Sequence, residues 1–270
     1  MDTTAFHDFE RAGWERAAEF YGDAFGGITA QTAGPLLDAA AVGAGARVLD
    51  VACGPGFVAA AAAARGADVT GLDFSGAMIA LARKRNPSIV FREGDAEALP
   101  FDRATIDSVV MNFGILHLAK PDQAIAEALR VLKPGGHYAL TVWAPPDRAV
   151  GFGMVLRAIE AHGTANVGLP EGPPFFRFSN QAEFRRSLET AGFTGVGFRE
   201  LPLTWTLRSA DAAFDAMSRG GVRTAAVLRA QTPEALAKVR ADIRKSVESF
   251  SKGAEFVIPM PAILASATLG

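Results

Sequence analysis

From Arg47 onward the chain alternates short β-rich runs with helical runs of about a dozen residues, a pattern that restricts it to strand–helix–strand units around a parallel sheet. The strand candidates are 47–51, 67–72, 89–93, 106–112 and 137–143. Helices are expected over 56–65, 75–85 and 121–132, the last stopped by Lys133-Pro134-Gly135-Gly136. Ahead of this alternation, residues 5–42 read as helical: Phe6, Phe9, Trp14, Ala17, Ala18, Tyr21 and Phe25 recur at spacings of three and four, and Gly34-Pro35 marks a restart at Leu36. After Trp143 come a helix near 151–162, a loop rich in Pro, Gly and Phe over 168–178, and a helix over 180–191. An extended run over 195–207, a helical insertion over 209–252 and a last extended run over 255–268 bring the count to seven strands, with the chain returning to the same sheet after the excursion.

Composition narrows the partners. Lys+Arg 27 against Asp+Glu 29 leaves a net charge of -2, so no field draws phosphate backbones, and a nucleic-acid partner is not expected. The alanine-rich stretch 58–64 falls far short of the roughly 18 residues of a membrane span, and residues 1–10 carry acids where a signal peptide has a basic start. A cytoplasmic protein is expected. The one cysteine, Cys53, excludes an intrachain disulfide and a Cys-based zinc site; no His/Asp/Glu cluster has metal-ligand spacing, so no metal is expected. No Ser sits in a G-x-S-x-G turn, which leaves hydrolase chemistry without support.

The strongest local signal is Val48-Leu49-Asp50-Val51-Ala52-Cys53-Gly54-Pro55-Gly56, a strand running into a glycine turn that opens a helix, where backbone approaches a ligand closely. Read as Gly54-x-Gly56-x-x-Ala59, with Asp73 nineteen positions after Gly54, it also fits a dinucleotide fingerprint. The neighbours argue otherwise. Asp50 at the strand end would repel a pyrophosphate and attract an ammonium group, and Pro55 removes a backbone N–H that a phosphate would use. Asp73 can accept from both hydroxyls of a ribose, or it can cap the helix starting near Ser75. Asp95, closing the third strand, can accept from an exocyclic adenine amine, although Gly-Asp after a strand is also an ordinary turn. Three acids at successive strand ends, with glycines at the first, describe a nucleoside that carries an amino acid and no phosphate, and S-adenosylmethionine is such a molecule.

With V-L-D-V-A-C-G-P-G at 48–56, G-L-D-F-S-G-A-M-I at 71–79, G-D-A-E-A-L-P-F at 94–101 and L-R-V-L-K-P-G-G at 129–136, the chain resembles the class I S-adenosylmethionine-dependent methyltransferases. The branch it resembles most includes the ubiquinone/menaquinone-biosynthesis C-methyltransferases, and the resemblance covers residues 36–143. It implies an α/β, Rossmann-like fold: a seven-stranded, mostly parallel sheet with a reversed last strand, N-terminal helices and a helical cap inserted between strands 6 and 7. One domain over 1–270 is then expected, with 36–143 as cofactor-binding core, 1–35 as a helical cover, and 144–180 and 209–252 on the acceptor side. By the same resemblance Asp50, Ala52, Gly54 and Gly56 line the methionine end; Asp73, Phe74 and Met78 hold the ribose and one adenine face; Asp95 and Ala96 hold its edge; and Asn112 and Phe113 sit near the sulfonium. Ala52 departs from the glycine of many members, and its small methyl implies slightly tighter packing.

The implied reaction is methyl transfer to a small, apolar or aromatic acceptor at carbon or oxygen. His117, in the loop after the fourth strand, is the candidate base, against a plain structural role in that loop. Tyr21 and Trp14 offer an aromatic face to a sulfonium, or simple core packing. Pro173 to Phe178, Trp205, Phe214 and Met217 are candidates for an apolar acceptor pocket, and Arg177, Arg219 and Arg223 for an acidic group on the acceptor. His7, His137 and His162 offer less by position. Two other functions stay open from sequence: a nicotinamide-dependent, NAD(P)-using oxidoreductase, and an S-adenosylmethionine-binding protein without turnover.

Overall fold

A computed structural model describes residues 2–270; Met1, the first residue of the segment read for a leader, lies outside it. Helix α1 (Thr3–Tyr21) starts at Asp2, whose carboxylate accepts from the N–H groups of Thr4 and Ala5. It does not stop at Gly22. The chain stays helical through a π turn (Gly22–Gly26), the short α2 (Gly27–Thr29) and a 3-10 turn (Ala30–Thr32) into α3 (Ala33–Ala39). The expected restart at Leu36 is therefore absent: Gly34-Pro35 sits in the first turn of α3, where a proline loses no intrahelical bond.

The alternation follows as β1 (Arg47–Val51), α4 (Phe57–Ala64), β2 (Asp68–Asp73), α5 (Gly76–Arg85), β3 (Val90–Glu93), β4 (Ile106–Asn112), α6 (Pro121–Val131) and β5 (Leu132–Trp143). β5 begins five residues ahead of the expected start, because the Lys133–Gly136 segment that ends α6 runs directly into strand pairing, with Ile106 opposite Leu132 and an irregularity before Ser108 opposite His137. Next are α7 (Val150–His162), α8 (Gln181–Ala191), β6 (Thr194–Leu201), β7 (Thr204–Leu207), α9 (Ala212–Arg219), α10 (Arg223–Arg229), α11 (Pro233–Glu248), β8 (Ser251–Lys252), β9 (Glu255–Pro259) and β10 (Ala262–Thr268).

Seven strands form one sheet in the order β3-β2-β1-β4-β5-β10-β6, with β10 antiparallel to both of its neighbours. The expected seven strands and reversed last strand are present. Each of the two late extended runs, however, breaks in two. Pro202 separates β6 from β7, and Met260-Pro261 separates β9 from β10, since proline cannot donate to a ladder. The outer halves β7 and β9 pair with each other, and β9 pairs with β8 on its other side, in a separate three-stranded antiparallel sheet, from which the helices α9 to α11 rise. The middle of the main sheet is covered on both faces, so Val48, Leu49 and Val51 of β1 and Val109, Val110 and Met111 of β4 are all buried, in the unbroken apolar runs that a two-sided parallel sheet requires.

Strand order reverses between β1 and β4. At such a switch point the loops from the carboxyl ends of neighbouring strands diverge and leave a crevice.

Candidate active site

The crevice is a cleft with about 1050 Å³ of empty space. Its floor comes from five successive strand ends: Ala52 and Gly54 after β1, Asp73 and Phe74 at β2, Gly94 to Ala96 after β3, Asn112 and Phe113 at β4, and Trp143 at β5. Met78 of α5 adds to one wall, and Trp14, Tyr21 and His117 bridge towards an apolar end made by Phe25, Trp143, Phe152, Phe175, Met217 and Val222.

The glycine turn is built from left-handed residues: φ is +54° at Ala52, +51° at Gly54 and +81° at Gly56. Gly56 opens α4, and a Cβ there would lie 2.9 Å from the Phe91 ring, so glycine is needed for packing as well as for φ. Its contribution is indirect, because Gly56 does not line the cleft. Ala52 tolerates a side chain because Gly114 stands opposite: a Cβ on Gly114 would come 2.5 Å from that of Ala52. Ala52 also has a left-handed backbone, which the sequence did not foretell.

Asp73 accepts the Gly54 N–H at 2.8 Å and the Ser75 N–H at 2.9 Å. Ser75 itself caps α5, its hydroxyl accepting from Met78 N–H. Asp73 therefore braces the glycine turn and the start of the helix together, and a carboxylate with about four acceptor positions keeps two for a ligand. Burial pushes its pKa up to about 6; the two backbone N–H groups and the charge of His117 hold it from rising further, and Glu15 adds to the rise.

Asp50 departs from expectation. It does not line the cleft, is 1% exposed, and neither oxygen accepts a hydrogen bond in the protein. Burial pushes its pKa up to about 8, with Asp73 adding to the rise; the Ala59 N–H faces it and offsets part of this without completing a hydrogen bond. At neutral pH it is largely protonated, so repulsion of a pyrophosphate by an ionised Asp50 is not an argument against a dinucleotide in this fold.

Asp95 is half-exposed, accepts the Glu97 N–H at 2.8 Å, and faces His7 Nε2 of α1 at 3.3 Å. His7 also meets the Phe74 ring edge-on. A histidine of little promise by position thus stands at the cofactor-like end. Asn112 is held rigidly: its Oδ1 accepts from Thr32 and Thr141, and its Nδ2 donates to Thr29 O. Tyr21 donates to Thr29 Oγ1, and its ring meets Trp14 edge-on; burial pushes the Tyr21 hydroxyl up to about 12.

His117 lines the cleft between the rings of Trp14 and Phe175. Its Nδ1 lies 3.0 Å from Oε2 of Glu10, and Arg223 Nε donates to Oε1 of the same carboxylate at 2.6 Å. Glu10 is completely buried; burial alone would raise its pKa, but His117 and Arg223 outweigh that and hold it lowered. Arg223 lines the cleft with three of its five N–H donors already used, the other two of these bonds going to Pro173 O and Leu116 O. Arg177 is bound to Asp122 and Glu183, and Arg219 lies over the Phe20 ring, both away from the cleft. Of the expected acceptor-side residues, Phe175, Met217 and Arg223 line the cleft; Trp205 and Phe214 are core, Trp205 donating to Ala24 O and stacking on Phe25. Sequence reasoning missed Phe25, Trp143, Phe152 and Val222, which come from four separate segments and share no local motif.

Comparison with known proteins adds a family. Residues 49–140 match the family described as "Methyltransferase domain". The chain is 34% identical to demethylmenaquinone methyltransferase of Renibacterium salmoninarum over 175 residues, 62% of this chain and 74% of that relative. It is 33% identical to the ubiquinone/menaquinone biosynthesis C-methyltransferase UbiE of Rhizobium etli over 170 residues, 56% and 66% of the two chains. Among solved structures, phosphoethanolamine N-methyltransferase 2 of Haemonchus contortus shares the fold with a TM-score of 0.59 at 17% identity, over 97% of this chain and 59% of that one.

Proposed function

Because the chain belongs to the class I S-adenosylmethionine-dependent methyltransferases, in the company of ubiquinone/menaquinone-biosynthesis enzymes, we propose that its cleft methylates an electron-rich aromatic ring of quinol type. It is a methyltransferase and S-adenosylmethionine is its cofactor; no relative described above points to a nicotinamide enzyme. The observation that carries the acceptor reading is the two-ended cleft, polar and acid-tipped along the strand ends and apolar under the cap. The relatives named for demethylmenaquinone supply the chemical class. An electrophilic methyl group needs an electron-rich carbon or oxygen, so the hydroquinone form of such a ring is the reactive one.

The residues divide as follows. Asp73 uses its two remaining acceptor positions for ribose hydroxyls, with Phe74 and Met78 beside the base. Asp95 and Ala96 take the adenine edge, and Ala52 and Gly54 the amino-acid end. Gly56 acts from beneath, by shaping the turn. Tyr21, Asn112 and Phe113 surround the place of transfer, where the aromatic faces of Tyr21 and Trp14 suit a cation. When bound, S-adenosylmethionine supplies the electrophilic methyl group. The chain's own part is to align the acceptor, exclude water beneath Phe152 and Phe175, and take a proton from an acceptor hydroxyl at His117.

The test is calorimetry with S-adenosylhomocysteine, followed by methylation of a short-chain demethylmenaquinol. Asp73→Ala is expected to weaken S-adenosylhomocysteine by about 30-fold or more, the equivalent of one or two charge-assisted hydrogen bonds. His117→Ala is expected to leave that affinity unchanged and to lower turnover. Unchanged affinity in Asp73→Ala would remove Asp73 from the site, and failure to methylate any quinol would overturn the acceptor class.

A further inference from the structure

Glu10 is a buried carboxylate that none of the roles above uses, on a helix outside the matched family region, 107 positions from the histidine it touches. Its two oxygens are divided between two partners. Oε1 faces Arg223 Nε, a group that only donates, and Oε2 faces His117 Nδ1. An ionised carboxylate only accepts, so Nδ1 must carry the proton. In the neutral form of the ring Nε2 is then the bare nitrogen; it has no hydrogen-bond partner among the described residues, and its ring borders the cleft.

We propose that Glu10 is a positioning residue: with Arg223 holding its other oxygen, it fixes the His117 tautomer and ring orientation so that Nε2 faces the acceptor. The three residues come from α1, the loop after β4, and α10. The base is therefore assembled only when the N-terminal helix and the cap both lie in place over the cleft. A proton leaving the acceptor hydroxyl goes to Nε2, and the resulting imidazolium stands against the Glu10 carboxylate. Asp73 is the other acid whose charge reaches His117, Arg223 is the cation on the far side of Glu10, and the Trp14 and Phe175 rings meet the imidazole in edge-type contacts. The activity part of this inference rests on the methyl-transfer reading; the tautomer does not.

Nitrogen-15 NMR at about pH 8, where histidine is ordinarily neutral, reads the tautomer without any acceptor. With only four histidines in the chain, His117→Ala assigns the resonances. The intact protein is expected to show Nδ1 protonated and Nε2 bare. In Glu10→Gln the carboxamide oxygen must accept from Arg223, which turns its NH₂ towards Nδ1, so the proton is expected to move to Nε2. That variant is expected to bind S-adenosylhomocysteine within about twofold of the parent and to lose about 100-fold in kcat towards the quinol, the scale of a general base put out of action. The double variant Glu10→Gln/His117→Ala should be no slower than His117→Ala alone. A proton on Nε2 in the intact protein, a Glu10→Gln chain with the parent's tautomer and rate, or losses that multiply in the double variant would each overturn the proposal. If no quinol is methylated, the acceptor reading fails while the spectra still decide the role of Glu10; if Glu10→Gln does not fold, the spectrum of the intact protein decides it.

Discussion

Two left-handed residues other than glycine, Ala52 and Phe113, stand side by side in the floor of the cleft, where strained backbone is held only by surroundings that leave it no alternative. For Ala52 that surrounding is Gly114. Gly114→Ala would bring a methyl group 2.5 Å from Ala52 Cβ and 3.0 Å from Met111 Cγ, and is expected to cost about 1–3 kcal/mol in urea unfolding. Ala52→Gly alone should be within about 0.5 kcal/mol of neutral, relief of the left-handed strain being offset by the greater freedom of glycine in the unfolded chain. Combining the two should recover most of the loss, whereas strictly additive costs would show that the two positions do not touch. At this scale the glycine turn, Asp73 and Asp95 were legible in the sequence because their signals are local. The burial of Asp50 was not, since the identity of a strand-end residue does not say whether it faces the crevice or the core. Nor was the Glu10–His117 pair, which depends on how two distant segments pack.

Among the elements, α1 reaches the cofactor-like end through few polar contacts of its surface. Arg11 pairs with Glu93 at 2.7 Å and Glu15 accepts the Ala77 N–H, but the first pair is half-exposed and worth little, and the second is a single exposed bond. The buried Phe6, Ala17 and Ala18, with Glu10, do most of the holding. Helix α1 and the irregular helical turns to Thr32 are thus expected to open as a unit and to close on a bound ligand. Saturating S-adenosylhomocysteine should slow amide exchange over residues 3–32 by tenfold or more and leave α8, on the far side of the sheet's β6 edge, unchanged. Equal slowing everywhere would mean global stabilisation without a cover. Helices and strands were legible here wherever one period ran uninterrupted, as in β4, which begins and ends where expected. The late strands were not, because apolar β-rich residues continue across Pro202 and Pro261 while the hydrogen-bond ladder cannot.

For the molecule as a whole, Asp50 and Asp73 work against folding as pH rises. A carboxyl whose folded pKa exceeds its unfolded value keeps its proton in the native state after the unfolded chain has lost it, so stability falls with rising pH between the two values. For Asp50 that window runs from about 4 to about 8, and for Asp73 from about 4 to about 6. Glu10, Asp107, Asp122 and Glu127, with lowered values, act in the opposite sense: their stabilisation is present above pH 4 to 5 and lost in acid. Asp50→Asn, uncharged at every pH, should match the parent's Tm near pH 4 and exceed it by about 5 °C or more at pH 8.5; a difference independent of pH would show that Asp50 does not titrate there. The order of the sheet has a consequence of another kind. Leu201 at the end of β6 lies opposite Ala262 at the start of β10, so everything between them leaves and rejoins the scaffold at neighbouring points. Such an insert behaves as one enlarged hairpin loop, and closing a loop costs only slightly more as it lengthens. The strand ends that floor the cleft lie outside it, while α9, α10 and the turn between them add to the cleft wall from inside it. Length can therefore be added to or taken from the β7–β9 end of this insert without re-routing the main sheet, whereas the stretch from Met217 to Thr224, which reaches the cleft and holds Glu10 through Arg223, is tied to the rest of the molecule.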